Sequence, residues 1–318
     1  MDIKLANEII ACLPKERTLF PYYEDRYAVM LLERLAGEGI AIADIKSSGF
    51  GKLLSRPLIK RLVATKGDGW LSYGDLLTIP ASDVEHYVLT LGLWGSAHGR
   101  ANWCQTSRRG VNLVLQLNFS RKHDRLYRKL VDPQDCKPFV MDCHPVCTRG
   151  RNTLAWARID LDWQNGEALV EEVQNDWLRD AEFYLRTARH LLTSNRGLRS
   201  TIHVGFQNEV RAIDVVTYVE KVLKLHRRVW SEAMLAAAIW FLCDEIGIHR
   251  IWYHDHDTGA RLKKIDQVKP PRSLYTDLPK RFCFERTCKA PEFILERATR
   301  PFKRDLNAAK EHFWRLNL

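Results

Sequence analysis

The chain lacks any long hydrophobic run. Its longest apolar stretch, Ala233–Cys243, falls well short of the roughly 20 residues that span a bilayer, so no membrane partner is expected. It also lacks a basic segment followed by an apolar one at Met1-Asp2-Ile3-Lys4, and a cytoplasmic protein without an export signal is expected. Internal repeats and low-complexity tracts are missing, as are a nucleophile elbow, a Walker loop, a dinucleotide fingerprint and a zinc-protease helix. The eight cysteines show no metal-knuckle spacing and read as reduced thiols. Cys12, Cys104, Cys243 and Cys288 stand alone, and the gaps within Cys136, Cys143, His144 and Cys147 do not match a zinc site, so no metal is expected. With 17 Gly and 12 Pro in 318 residues, neither collagen-like nor wholly disordered chains are candidates. What is present is aromatic: 10 Trp, 10 Tyr and 12 Phe suffice for a large core without staples.

Charge is unevenly spread. The net charge is +10, yet residues 1–100 balance 12 Lys/Arg against 12 Asp/Glu, so the excess lies in the last two thirds. A basic balance favours an anionic partner, nucleic acid or a phosphorylated cofactor. The competing view is a soluble basic surface. No protein partner is named by the sequence.

Residues 1–100 read as a helical domain. Asp2–Leu13 is amphipathic and stops at Pro14, and Asp25–Leu35 places Tyr27, Met30, Leu31 and Leu35 on one face. A loop over Gly51–Lys60 leads to Thr65–Leu71, where Asp68-Gly69 predicts a tight turn. Ser82–Leu91 is expected to be helical, with Ser82 and Glu85 at capping-box spacing. Helix, helix and Gly-rich hairpin follow the order of a winged helix. Residues 46–66 contain no acid, and Lys52, Arg56, Lys60 and Arg61 are the candidate nucleic-acid contacts. A small helical bundle with one solvated basic face is the alternative.

Residues 101–318 read as an α+β domain. Val111–Phe119, Thr153–Leu161 and Ala168–Gln174 alternate as strands, the last two joined by the turn Asp162–Glu167. Helices are expected from Trp177 to about Leu192, over Ile213–Lys224 and over Ser231–Ile246, the last buried on all sides. Ile248–His254 is a short buried strand. Before this domain, Gly92–Gly110 reads as a Gly-rich loop or linker in which Trp103 and Arg108 are placed to stack a base and hold its phosphate.

The strand Ala168–Gln174 concentrates the chemistry. Strict alternation places Leu169, Glu171 and Val173 on one face and Val170, Glu172 and Gln174 on the other, so one carboxylate sits among apolar neighbours. Desolvation raises a carboxylate's pKa and suits it to general-base work. The structural alternative is an edge strand whose acids pair with Arg158 and Arg179. At the end of the next strand, His254 and His256 share a face of an extended segment and join the candidate pocket.

The segment Glu171-Glu172-Val173-Gln174-Asn175-Asp176-Trp177 resembles the Glu-Glu-Ile-Gln-Ser-Asp-Trp signature of a domain in large polyvalent proteins of phages and mobile elements. Gly247-Ile248-His249-Arg250-Ile251 and Tyr275-Thr276-Asp277-Leu278-Pro279 extend that resemblance over about residues 150–285, with Asn175 and His249 departing from the pattern. The element order more distantly resembles the second half of a GNAT acyltransferase. That likeness implies a mixed sheet, an acyl-CoA cofactor, Glu172 as base and Tyr275 as the acid that protonates the departing thiolate. It also implies a phosphate loop at His226–Glu232, where Arg227 and Arg228 are the candidate cofactor contacts. This segment has no glycine, and bulky side chains keep a pyrophosphate from the backbone.

Two functions follow as expectations. One is a group transferase from phage–host or mobile-element conflict, acting on a nucleic-acid-associated substrate, with Glu172, Tyr275 and His254 as catalytic residues. Its substrate contacts are Gln174, Asp176, Trp177, His256, Trp103 and Arg108. The other is a non-catalytic nucleic-acid- or protein-binding module on a degenerate acyltransferase fold.

Overall fold

The computed structural model describes residues 1–12, 18–96, 104–147, 150–193, 197–265, 270–296 and 313–318. Helix α1 (Ile3–Cys12) is followed by strand β1 (Thr18–Tyr22) and α2 (Arg26–Ala36). Next come β2 (Ile40–Ala41), α3 (Ile42–Ser47), a 3-10 turn at Gly51–Ser55, α4 (Pro57–Ala64), β3 (Trp70–Leu71) and α5 (Tyr73–Leu77). The expected turn forms at Asp68-Gly69, with Gly69 at φ +73°, but the strand it feeds pairs with β2 rather than with residue 65 onward.

Strands β4 (Glu85–Ser96) and β5 (Gly110–Asn118) form a hairpin, followed by α6 (Arg121–Leu130) and a second hairpin, β6 (Thr153–Asp162) and β7 (Glu167–Gln174). Helix α7 (Trp177–Leu192), the small hairpin β8 (Thr201–Val204) and β9 (Asn208–Arg211), α8 (Ala212–Thr217) and α9 (Lys224–Trp240) lead to β10 (Arg250–His254). The chain closes with α10 (His256–Leu262), α11 (Ser273–Arg281), β11 (Glu285–Thr287), α12 (Glu292–Leu295) and β12 (Phe313–Asn317).

The expected helix over Ser82–Leu91 is instead the first half of β4. Tyr87, Val88, Leu89, Thr90 and Leu91 are strand formers, and β4 hydrogen-bonds to β1 on one side and to β5 on the other. A capping-box spacing without helical periodicity behind it does not nucleate a helix. Gly92–Ser96 likewise belong to β4 and pair with β5, so they are strand rather than loop or linker.

Eight strands form one mixed sheet in the order β1-β4-β5-β6-β7-β10-β12-β11, and the fold class is α+β. The sheet crosses residue 100, because β1 and β4 pair on to β5. Strands β7 and β10 run parallel, while their outer neighbours are antiparallel. Ala155, Ala157, Ile159 and Leu161 of β6 face the main core under α9. Ala233, Ala236, Ala237 and Ala238 of α9 are all buried, and their small side chains let the helix lie close to the sheet. Leu169, Trp252, Phe293, Ile294 and Phe313 form a smaller core on the opposite face.

An aromatic core joins α6, α7 and α9. Phe119 stacks on His123 at 3.5 Å between ring centroids, and the Trp177 indole donates to the Tyr218 hydroxyl at 2.7 Å. No helix among the described residues is long and apolar enough to cross a membrane.

Candidate functional site

The site is built by a fault in the sheet. Arg158 of β6 pairs with Glu172, but the next residue, Ile159, pairs with Val170, so Glu171 is an extra residue in β7. This bulge breaks the expected alternation: Val170 and Val173 both enter the main core, while Glu171 engages Ser107 and His254 and Glu172 engages Arg158. The parallel pairing of β7 with β10 ends at Val170–Tyr253, one residue before the bulge. Beyond it, Glu171 is skipped in the register of both neighbouring strands, and its carbonyl accepts from Lys263 Nζ at 3.0 Å.

Glu172 is fully engaged. Its carboxylate accepts from the Arg158 guanidinium, and Lys263 Nζ lies 3.9 Å away. Arg158 also donates to the Cys104 carbonyl at 2.8 Å. Burial pushes the Glu172 pKa up, but Arg158 and Lys263 overcome that and hold it below the ordinary carboxylate value. The expected raised pKa is therefore reversed, since burial came with two cations.

Glu171 accepts from the Ser107 amide at 3.1 Å and from its hydroxyl at 2.5 Å. The His254 Nε2 atom lies 2.7 Å from the same hydroxyl and 3.3 Å from the carboxylate. Burial works to raise Glu171, but His254, Lys263 and Arg158 bring its pKa down to about 2. Burial lowers the His254 pKa against the pull of Glu171. The serine hydroxyl and the Glu171 carboxylate both lie against Nε2, and Nδ1 has no hydrogen-bond partner among the described residues. A serine relay needs the acid on Nδ1 and the serine on Nε2. Here both fall on Nε2, so Ser107, His254 and Glu171 do not form one.

Tyr275 completes the group from α11. Its hydroxyl lies 3.5 Å from Lys263 Nζ, and burial, with the nearby Glu172 and Tyr253, raises its pKa well above the ordinary value. Lys263 is itself buried, and burial lowers its pKa against the pull of Glu172. Gly259 favours this geometry: a Cβ there would lie 3.0 Å from His254 Cβ, a tight contact that glycine avoids where α10 packs on β10 ahead of Lys263.

The structure thus gathers Glu172, Tyr275 and His254 around Lys263, and leaves other candidates elsewhere. Gln174 ends β7 opposite Trp156 and makes no hydrogen bond to that group among the described residues. Asp176 is held by His144 and Arg179. Trp177 is buried in the aromatic core and cannot meet a substrate, because its position opens α7 and faces Phe119 and Tyr127.

His256 is the first residue of α10 rather than part of an extended run, and it bonds the Pro270 carbonyl at 3.2 Å. Arg108 is spent on a two-pronged pair with Asp160 at 2.6 and 2.9 Å and lies over the Phe293 ring, so it holds no phosphate. Arg227 and Arg228 stand on the exposed side of α9 and pair with Glu182 and Glu24. Trp103 lies outside the described residues.

Of the four basic candidates near α4, Lys52, Lys60 and Arg61 are exposed. Arg56 is turned inward, 5.9 Å from the centre of the Tyr27 ring and 3.8 Å from Asp25. No group of three metal-ligating side chains occurs among the described residues. Sequence reasoning missed Ser107 and Lys263, which carry no motif. The one available signal was Gly259, four residues before Lys263.

No family model, curated protein or solved structure matches the chain.

Proposed function

We propose that the chain is a non-catalytic nucleic-acid-binding protein, built on an acyltransferase-like sheet whose substrate cleft is closed by its own side chains. The observation that carries this is Lys263. Its ammonium sits where β7 and β10 part, on the Glu171 carbonyl and beside Glu172 and Tyr275. A transferase of the GNAT kind needs that opening for its acyl donor and needs a free base. Here the opening holds an ammonium, and the carboxylate is paired with Arg158.

The helix that leaves β7 argues the same way. It begins at Asn175-Asp176-Trp177, with the Asn175 side chain accepting from the Leu178 amide at 2.7 Å. A side-chain cap and an aspartate at this end disfavour a pyrophosphate, which needs free N–H groups and positive charge.

The binding class follows from the helical segment around α3 and α4. Lys46, Lys52, Lys60 and Arg61 are exposed there, with no acid between residues 45 and 67 to neutralise them. In the winged-helix reading, α4 and the turn at Asp68-Gly69 meet the phosphates. The phage and mobile-element resemblance agrees with a protein that handles nucleic acid.

Binding of a labelled duplex across a salt series tests this. Wild-type affinity should fall steeply with salt, and K52A/K60A/R61A should weaken binding and flatten the slope by about three counterions. An unchanged slope overturns the α4 surface. Glu172→Gln should leave binding intact, and acyl transfer by the wild type that Glu172→Gln abolishes would replace this reading with the transferase.

A further inference from the structure

Helix α6 carries the densest positive charge among the described residues of the chain. Arg121, Lys122, Arg125, Arg128 and Lys129 fall within ten residues, against the single acid Asp124. Arg121, Arg125 and Arg128 are four and three residues apart, which puts them on one face of the helix. All three are exposed. Arg121 and Arg125 make no ion pair among the described residues, while Arg128 pairs with Asp135 at 3.2 Å between two exposed side chains.

That face is one wall of a cleft of about 640 Å³. Lys137 and Arg151 also line it, and Tyr127 and Val140 contribute apolar lining. Four carboxylates line the cleft against five cations, and three of the four are hydrogen-bonded or paired within the chain. Asp132 accepts from the Cys136 and Lys137 amides and from Asn208, and Asp124 accepts from Asn152 at 2.9 Å. Asp135 pairs with Arg128, so Asp142 is the acid left at the rim.

We infer that this cleft is a binding site for the phosphate backbone of a single nucleic-acid strand, an inference that rests on the proposal of nucleic-acid binding and places a second contact apart from α4. The cations line a concave cleft that admits a narrow chain, whereas a duplex would meet only its mouth. Helix α6 is about 15 Å long at 1.5 Å per residue, enough to run beside a few phosphates of one strand. The helix is anchored by its buried residues His123 and Tyr127, so its exposed arginines are not needed to hold it in place.

The test compares R121A/R125A/R128A with K52A/K60A/R61A and the wild type, using fluorescence anisotropy with a labelled 20-nucleotide single strand. The cleft variant should lose at least tenfold in affinity. Its log–log salt slope should drop by about two, the value for three phosphates of a single strand. Melting temperatures within a degree or two of wild type would show that the fold is retained. If the cleft variant binds like wild type while the α4 variant does not, the cleft inference fails and the proposed function stands. If the wild type binds no oligonucleotide, both fail. A mononucleotide that competes as well as the strand would overturn the assignment to a strand.

Discussion

The junction of β7 and β10 and the outer face of α6 are both rich in charge, and they handle it in opposite ways. At the junction, Arg158, Lys263, Glu171 and Glu172 are buried, and each meets an opposite charge or a polar group of its own chain. On α6, Arg121 and Arg125 are exposed and lack an internal counter-charge among the described residues. Burial makes an unpaired charge too costly to keep, so the first cluster had to be self-complementary. Water tolerates the second, which leaves it available to an external anion. The difference teaches that the ionisable residues most suggestive of catalysis are the ones already used by the fold.

The sharpest way to break this contrast is Arg158→Leu. It leaves Glu172 buried with only Lys263 nearby, and chemical denaturation should show a loss of about 3–5 kcal/mol. A change below 1 kcal/mol would mean that the carboxylate is hydrated and the site open. Gly259→Ala comes next. Its methyl would press on His254, and overpacking of this kind costs about 1–3 kcal/mol. A melt indistinguishable from wild type would show that α10 can shift without cost.

A third prediction concerns two buried imidazoles in the aromatic core. His226, bonded to the Tyr87 hydroxyl at 2.8 Å, has its pKa pushed down to about 3 by burial and by the neighbouring His123. Burial lowers His123 as well. The folded values lie below that of an unfolded histidine, about 6.5, so the stabilisation is complete above that pH and is lost as pH falls toward 3. For His226 alone the slope should be about 1.4 kcal/mol per pH unit. Stability measured from pH 7 to 4 should therefore decline before the carboxylates titrate, and His226→Gln should flatten that decline. An unchanged profile in the variant would place the acid sensitivity elsewhere.

The smallest effect belongs to the surface. Arg121→Ala, Arg125→Ala and Arg128→Ala should each change stability by no more than about 0.5 kcal/mol, because exposed charges add little to folding. A larger loss would show that α6 depends on its arginines, and the contrast with the junction would narrow.

Much of the architecture could be read in advance because periodicity is local. Helix α7 spans Trp177–Leu192 as expected, and the hairpin of β6 and β7 turns at Asp162–Glu167 around Gly166, whose φ is +61°. The uniformly apolar run in α9 announced a buried helix, and it is one. Ser82–Leu91 misled because a cap spacing is only a three-residue signal, while the pairing of β4 with β1 and β5 is a long-range event.

The candidate site was only half legible. Glu172, His254 and Tyr275 stood out by type and position. Their partners did not: Ser107 reaches Glu171 across 64 residues, and Lys263 reaches Glu171 across 92. The sequence by itself determined that two glutamates sit at the end of a core strand, because that is a matter of composition along one element. Only the tertiary structure decided that the bulge at Glu171 turns both glutamates to polar partners of the chain's own and that Lys263 fills the gap beside β10. Pairing in three dimensions sets the ionisation of a buried group, and no local pattern records which distant cation will arrive.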